Sequence, residues 1–151
     1  MLDNMARFAL ERDIKFFESI SRELVDVVVE TAVVLYKLII DESKTNLYGE
    51  SLNKTYYEGV ECTAMIERES SISEYEGFGA DRSQLVEFRF NRFTLEDRGF
   101  YPEVGDIIFH NNAYFEIDNV REDQLIAGQV QNKFSIICST FMSRRSTIQT
   151  E

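Results

Sequence analysis

The sequence predicts a mainly β protein, a small antiparallel β-barrel or sandwich with an N-terminal amphipathic helix. Three observations lead to this prediction: a helical apolar stripe near the N-terminus, about seven short apolar runs after it, and short turn-forming connections between those runs. The 151 residues contain one proline and no linker-like stretch, so we expect a single domain over 1–151. Its parts would be a helix over about 8–28, a β domain over about 32–142 and a polar tail over 143–151.

The N-terminal helix is predicted from apolar residues that recur every three or four positions: Leu10, Ile14, Phe17, Leu24 and Val28. Phe16 and Ile20 widen this stripe, and charged residues occupy the opposite face. Helical stripes usually pack against their own domain, so we expect the stripe to face the core. The alternative, in which Phe16 and Phe17 contact a neighbouring subunit, stays open.

The next segments predict strands and one loop. Residues 32–40 are apolar and rich in β-branched side chains, which indicates a strand buried on both faces. The polar residues 41–54 predict a loop. Strict alternation over 60–67 and 84–92 predicts two strands with these inward-facing residues: Val60, Cys62, Ala64, Ile66, Val86, Phe88 and Phe90.

Between those two strands, residues 69–83 hold two glycines and four acidic residues. We expect a long loop there, and loops of this length in a compact domain are often functional. The ordinary interpretation is a solvated connection. Residues 94–99 predict a capped helical turn that ends at Gly99.

The clearest local signal is a β-hairpin over 102–120. Gly105 and Asp106 mark the start of its first strand, and Asn111 and Asn112 can form a tight turn because asparagine tolerates positive φ. Residues 124–127 predict a short strand and residues 130–142 a longer one.

Composition limits the function classes. The formal net charge of −11 argues against a protein that grips nucleic acid, because such binding depends on Lys and Arg. An acidic bore would let DNA pass without adhesion, and acidity also simply favours solubility. Cys62 and Cys138 lie on apolar alternating runs, so we expect two buried thiols in a reducing compartment, with a disulfide between them as the alternative.

No strong catalytic or metal-binding motif is present in the sequence. The single histidine, His110, cannot build a multi-histidine metal site, and no nucleophile motif accompanies it. Asp106, Glu116 and Asp118 lie close together in the predicted hairpin and could bind a divalent cation. A small metal-dependent hydrolase is therefore a minor alternative, although Glu116 and Asp118 are typical of the outward face of a strand.

Three segments carry a resemblance to a known family: Asn-Leu-Tyr-Gly-Glu-Ser at 46–51, the strand at 86–90, and the hairpin around Val-Gly-Asp-Ile and Tyr-Phe-Glu-Ile. Together they span roughly 42–128. This pattern of strands and turns resembles the neck or head-closure proteins of contractile-tailed bacteriophages. In that family, barrel loops close the DNA channel.

The resemblance implies a virion neck protein that forms a ring of six or twelve copies between the portal-side connector and the tail terminator. The ring would close the DNA-filled head and offer the docking surface for the tail, while genomic DNA passes through its bore without specific binding. We expect no enzymatic activity, no cofactor and no membrane, with assembly in the host bacterial cytoplasm. An adaptor or tail-terminator ring of the same neck is the alternative.

Under this interpretation, two sets of residues would be functional. The channel constriction would contain Tyr75, Glu76, Gly77, Phe78 and Gly79. Contacts between subunits or with partners would involve Phe16, Phe17, Arg89, Arg92, Arg144 and Arg145.

Overall fold

The computed structural model describes residues 11–45, 51–76, 79–125, 129–143 and 148–150. A closed barrel is formed by β1 (Thr31–Tyr36), β4 (Val60–Glu76), β5 (Gly79–Asn91), β6 (Ile107–His110), β7 (Ala113–Leu125) and β8 (Gln129–Met142). The strands pair antiparallel in the order β1-β4-β5-β8-β7-β6, and β6 returns to β1. The predicted mainly β fold with a small antiparallel barrel is confirmed.

A second sheet lies beside the barrel and contains β2 (Leu38–Thr45), β3 (Ser51–Tyr56) and β9 (Gln149–Thr150). β2 pairs antiparallel with β3, and β3 pairs parallel with β9. The prediction of a loop over 41–54 is therefore wrong for the residues that the structure describes. The polar tail also contributes to structure, because its residues 149–150 extend this sheet.

The helical part consists of α1 (Glu11–Glu23), a π-helix (Leu24–Val29) and α2 (Arg92–Asp97). The predicted N-terminal helix is confirmed from Glu11 onward, and residues 8–10 lie outside the described ranges. Glu30 ends the π-helix in the left-handed region with φ 43°, and its N–H donates to the Val25 carbonyl. The predicted short turn is α2, but its cap is Asn91, whose side chain accepts the Phe93 N–H at 3.2 Å.

Alternating residues of the barrel strands fill its core. Phe88 is fully buried and makes edge contacts with Phe115 and His110, at ring-centroid distances of 5.6 and 5.8 Å. The residues that were predicted to face inward on these two strands are buried or partly buried. The buried ones are Cys62, Ala64, Val86, Phe88 and Phe90, and the partly buried ones are Val60 and Ile66. Cys62 and Cys138 are both buried and free, so the disulfide alternative is wrong.

The apolar run 32–40 divides at Lys37. Its first part is β1 in the barrel, where burial alternates, and its second part begins β2 in the outer sheet. The expected single strand with two buried faces is therefore wrong. The chain leaves the barrel at this point because the Lys37 ammonium is held by the carboxylate of Asp106, at 3.1 Å, and by the Tyr101 carbonyl, at 2.8 Å.

The segment 69–83 is a β-ribbon rather than the predicted loop. β4 and β5 pair without interruption from Arg68 and Glu87 to Glu76 and Gly79. A one-residue register shift, a β-bulge, separates this ribbon from the pairing of Ile66 with Phe88. The composition of the ribbon is typical of a loop because it is polar in both of its strands.

The predicted Asn-Asn hairpin is confirmed. Asn111 and Asn112 both have positive φ, 48° and 65°, and connect β6 to β7. The second strand continues to Leu125, so the separate strand predicted at 124–127 is, up to residue 125, the end of β7. A positive φ at both turn residues gives a connection whose twist matches that of the strands.

Candidate functional site

The β4–β5 ribbon extends beyond the barrel wall. The last residue of β5 that pairs with a third strand is Leu85, opposite Phe141 of β8. Six further rungs, from Ser71 and Gln84 to Glu76 and Gly79, join only β4 and β5. At about 3.4 Å per residue these rungs form an arm roughly 20 Å long.

The predicted channel residues belong to the tip of this arm. Tyr75 and Glu76 end β4, and Gly79 begins β5. Gly77 and Phe78 lie outside the described residues. The structure thus assigns strand pairing, not an irregular loop, to the described members of the set, and their role in a channel stays a prediction.

The N-terminal helix exposes its apolar side. We define the apolar helix face as its exposed large apolar residues: Phe16, Phe17, Ile20, Leu24, Val27, Val28 and Val29. Phe16 is 62% exposed, Val27 67% and Val28 69%. The expectation that this stripe packs on its own domain is wrong among the described residues, because α1 has no buried residue and the π-helix buries Val25.

The helix is attached to the barrel through polar groups instead. The carboxylate of Asp26 accepts hydrogen bonds from the hydroxyls of Thr63 and Thr94, the latter at 2.8 Å. Arg22 pairs with Asp97 of α2 at 2.6 Å. These contacts fix the helix by one side and leave the apolar helix face turned outward.

A groove of about 270 Å³ lies on the outer barrel surface. Its lining comes from neighbouring barrel strands: Ser70, Leu85, Val86, Glu87, Asp118, Ser139, Thr140 and Phe141. We call it the Leu85–Phe141 groove, because these two paired apolar residues are 41% and 37% exposed. Outward positions of strands are normally polar, so this exposed pair is typical of a binding surface.

Sequence reasoning missed this groove, although the signal was present. Alternation that directs Val86 and Thr140 inward also directs Leu85 and Phe141 outward. Both outward residues are large and apolar, and the strand pairing puts them opposite each other. Without the register, the two positions could not be recognised as neighbours.

The predicted interface arginines Arg89 and Arg92 are engaged within the chain. Arg89 contacts Asp123 at 2.6 Å and Glu67 at 2.8 Å, and also donates to the Ser135 hydroxyl. Arg92 contacts Glu96 at 2.7 Å. Arg89 therefore links β5 to three other barrel strands, whereas Arg92 also contacts Glu122 of β7 at 3.4 Å and so links α2 to the barrel. A further contact of either residue with another subunit stays a prediction. Arg144 and Arg145 lie outside the described residues.

Two of the three acidic hairpin residues, Asp106 and Glu116, pair with lysines, whereas Asp118 is exposed. Asp106 is buried and forms an ion pair with Lys37. Its carboxylate also accepts hydrogen bonds from the backbone N–H groups of Leu38 and Glu103, at 3.0 and 2.8 Å. Burial raises the pKa of Asp106, although these hydrogen bonds and Lys37 oppose the shift. Glu116 pairs with Lys54 of β3 at 2.5 Å.

These partners make the Asp106 and Glu116 carboxylates structural links between the barrel and the outer sheet. Within the described ranges, no group of three His, Cys, Asp or Glu residues could hold a metal ion. His110 lies at the edge of the core aromatic cluster, against Phe88. Burial also raises the pKa of Cys62 and of Cys138 to about 12, which leaves both thiols protonated near neutral pH.

In the described part of the chain, no helix is both long and apolar enough to cross a membrane. Comparison with known proteins finds no family model that matches the sequence and no curated protein that is significantly similar to it.

Proposed function

We propose that this protein is an assembly subunit of a bacteriophage neck, a ring that closes the DNA-filled head and docks the tail. The observation that carries the proposal is the arm, which extends roughly six rungs beyond the barrel wall. An arm of about 20 Å is long enough to reach from a ring subunit into a central bore. The resemblance of the hairpin segments to head-closure proteins supports the same function.

Charge and surface agree with this proposal. A net charge of −11 repels the phosphate backbone, so DNA could slide past a ring of such subunits without adhesion. The apolar helix face supplies the contact surface that a ring subunit needs. An adaptor or tail-terminator ring of the same neck would use the same features.

The proposal is tested with purified, filled phage heads that carry their connector. The protein is added, and the neck is imaged by cryo-electron microscopy. We expect a symmetric ring below the portal, with the arm narrowing its bore. Heads that bind no ring, and that join tails without the protein, would reject the proposal.

A matched variant tests the role of the arm. Residues 73–82 are replaced by Asn-Gly, which favours a two-residue hairpin turn. The barrel should still fold, because β5 pairs with β8 from Leu85 onward. We expect this variant to form the ring but to leave heads that leak DNA, and a control with extra residues at the Asn111–Asn112 turn should retain closure. Full retention of DNA by the shortened variant would contradict a gating role for the arm.

A further inference from the structure

We propose that the apolar helix face of one copy packs into the Leu85–Phe141 groove of a second copy, head to tail, and that this contact repeats around the ring. The inference rests on the proposed homo-oligomeric ring and specifies which two surfaces meet. Each of these two exposed surfaces would thus be covered by another copy of the same protein.

The exposed area favours a protein partner. The apolar helix face contains seven large apolar side chains, and each is about half exposed. Together they present on the order of 600 Å² of apolar surface. A stable interface buries about 800 Å² per partner, including its polar rim. The apolar helix face therefore supplies most of the area that a specific interface needs.

The groove has the size to receive this face. Its volume is about 270 Å³, whereas a cavity of about 150 Å³ accommodates a benzene ring. One phenyl ring and one aliphatic side chain from adjacent helical turns would fit. Phe16 and Ile20, four residues apart on one side of α1, form such a pair.

The two surfaces lie at opposite ends of the barrel part of β5, residues 85–91. The groove contains Leu85, where the arm begins, whereas Phe90 and Asn91 at the other end line a cleft shared with Leu24 and Val25 of the π-helix. Five residues of strand separate these ends by roughly 17 Å. The groove lining includes no residue of the described helix, so the apolar helix face and the groove of one copy do not meet. A head-to-tail contact between copies is heterologous, and such contacts form a ring when the rotation from one copy to the next closes.

Charges at the rims are complementary. Arg12 is exposed one helical turn before Phe16, and Asp118 is exposed at the rim of the groove. Within the described residues neither takes part in an ion pair. Docking of Phe16 into the groove would bring Arg12 toward Asp118 of the next copy, and such rim pairs set orientation more than affinity.

The first test measures self-association by sedimentation velocity, from about 10 μM to 1 mM protein in physiological salt. We expect concentration-dependent association that weakens tenfold or more in Phe16→Ala, because large buried aromatics dominate interfaces. Tyr57→Ala is the matched control, since Tyr57 is similarly exposed but lies at the outer sheet. A chain that stays monomeric throughout this range, or equal effects of the two variants, overturns the inference.

The second test identifies the paired surfaces. Arg12→Cys and Asp118→Cys variants are treated with a short bismaleimide, separately and mixed. The native Cys62 and Cys138 are buried and their pKa is raised to about 12, so they stay unreactive. We expect cross-linked dimers in the mixture and none in either variant alone. Self-cross-linking of Arg12→Cys would reveal a symmetric helix-to-helix contact and overturn the head-to-tail arrangement.

The outcomes separate this inference from the proposed function. A ring on phage heads that persists in Phe16→Ala would retain the function and reject the interface. Cross-linked copies, with no ring on heads, would retain the interface and reject the neck assignment. Charge reversal adds a rescue: Arg12→Glu should weaken association several-fold, and Asp118→Arg in the same chain should restore it.

Discussion

The barrel and the N-terminal helix use apolar residues in opposite ways. In the barrel, alternation buries Phe88, Phe90 and Ile117 almost completely. In the helix, a stripe of comparable apolarity stays exposed, and polar contacts of Asp26 and Arg22 hold the helix in place. An apolar pattern thus determines the secondary structure of a segment, but it does not determine whether its partner is the same chain.

The largest expected effect contrasts the same substitution in the two regions. Phe88→Ala should lower the free energy of unfolding by about 3–5 kcal/mol, because it leaves a cavity among closely packed rings. Phe16→Ala should change it by about 0.5 kcal/mol or less, since that side chain is largely exposed. Urea denaturation of both variants below the association range measures the contrast. Equal losses would mean that the helix face is packed within one copy.

The next effect concerns the junction between the barrel and the outer sheet. Asp106→Asn keeps one acceptor but places an amide where Lys37 and the Glu103 N–H now donate. We expect a loss of about 2–3 kcal/mol in the free energy of unfolding, the cost of unpaired buried polar groups. Asp118→Asn, an exposed change of the same chemistry, is the control and should be near neutral. A neutral Asp106→Asn would show that the junction does not depend on the carboxylate.

A smaller effect should separate the helix from the barrel. Asp26→Ala removes the acceptor of the Thr63 and Thr94 hydroxyls, at a cost of about 1–2 kcal/mol. Because alanine favours helices, the helix itself should persist while its attachment weakens. Hydrogen exchange followed by mass spectrometry should show faster exchange at the helix and unchanged barrel strands. Faster exchange throughout the barrel would indicate that the helix is part of its folding unit.

The smallest expected effect depends on pH. The pKa of Glu122 is lowered, chiefly by hydrogen bonds from Lys133 and Tyr101. Its contribution to stability is therefore present above the ordinary glutamate pKa and is lost as pH falls through the lower folded-state value. Glu122→Gln should lower the free energy of unfolding by about 1 kcal/mol or less near pH 7. The difference from the wild type should disappear in acid, and a constant difference would contradict the assignment.

Sequence patterns predicted the barrel strands well wherever burial alternates. Cys62 and Ala64 are buried as expected, and the Asn111–Asn112 turn has the positive φ values that its residue types allow. Alternation succeeds because a strand that is half buried repeats every two residues. The same reasoning could not anticipate the closure of the barrel, which depends on pairing between distant β1 and β6.

Other features depended on information that local patterns do not contain. The arm was interpreted as a loop, because a two-stranded ribbon outside the barrel wall has no buried face to impose an apolar period. The division at Lys37 required its distant partner Asp106, 69 positions along the chain. The exposed helix stripe and the groove near Leu85 required the tertiary arrangement.

The bulge between Ile66 and Arg68 also sets the phase of the arm. Before it, even-numbered residues of β4, such as Ile66, pair with inward positions of β5; after it, the odd-numbered Glu69 does so, opposite Val86. Throughout the arm, odd-numbered residues of β4 therefore lie on the side that even-numbered residues occupy before the bulge. Removal of Glu67 would close the bulge and leave every pairing from Arg68 with Glu87 onward unchanged, so the arm would keep both of its sides and lose only the local bend and twist that the bulge introduces.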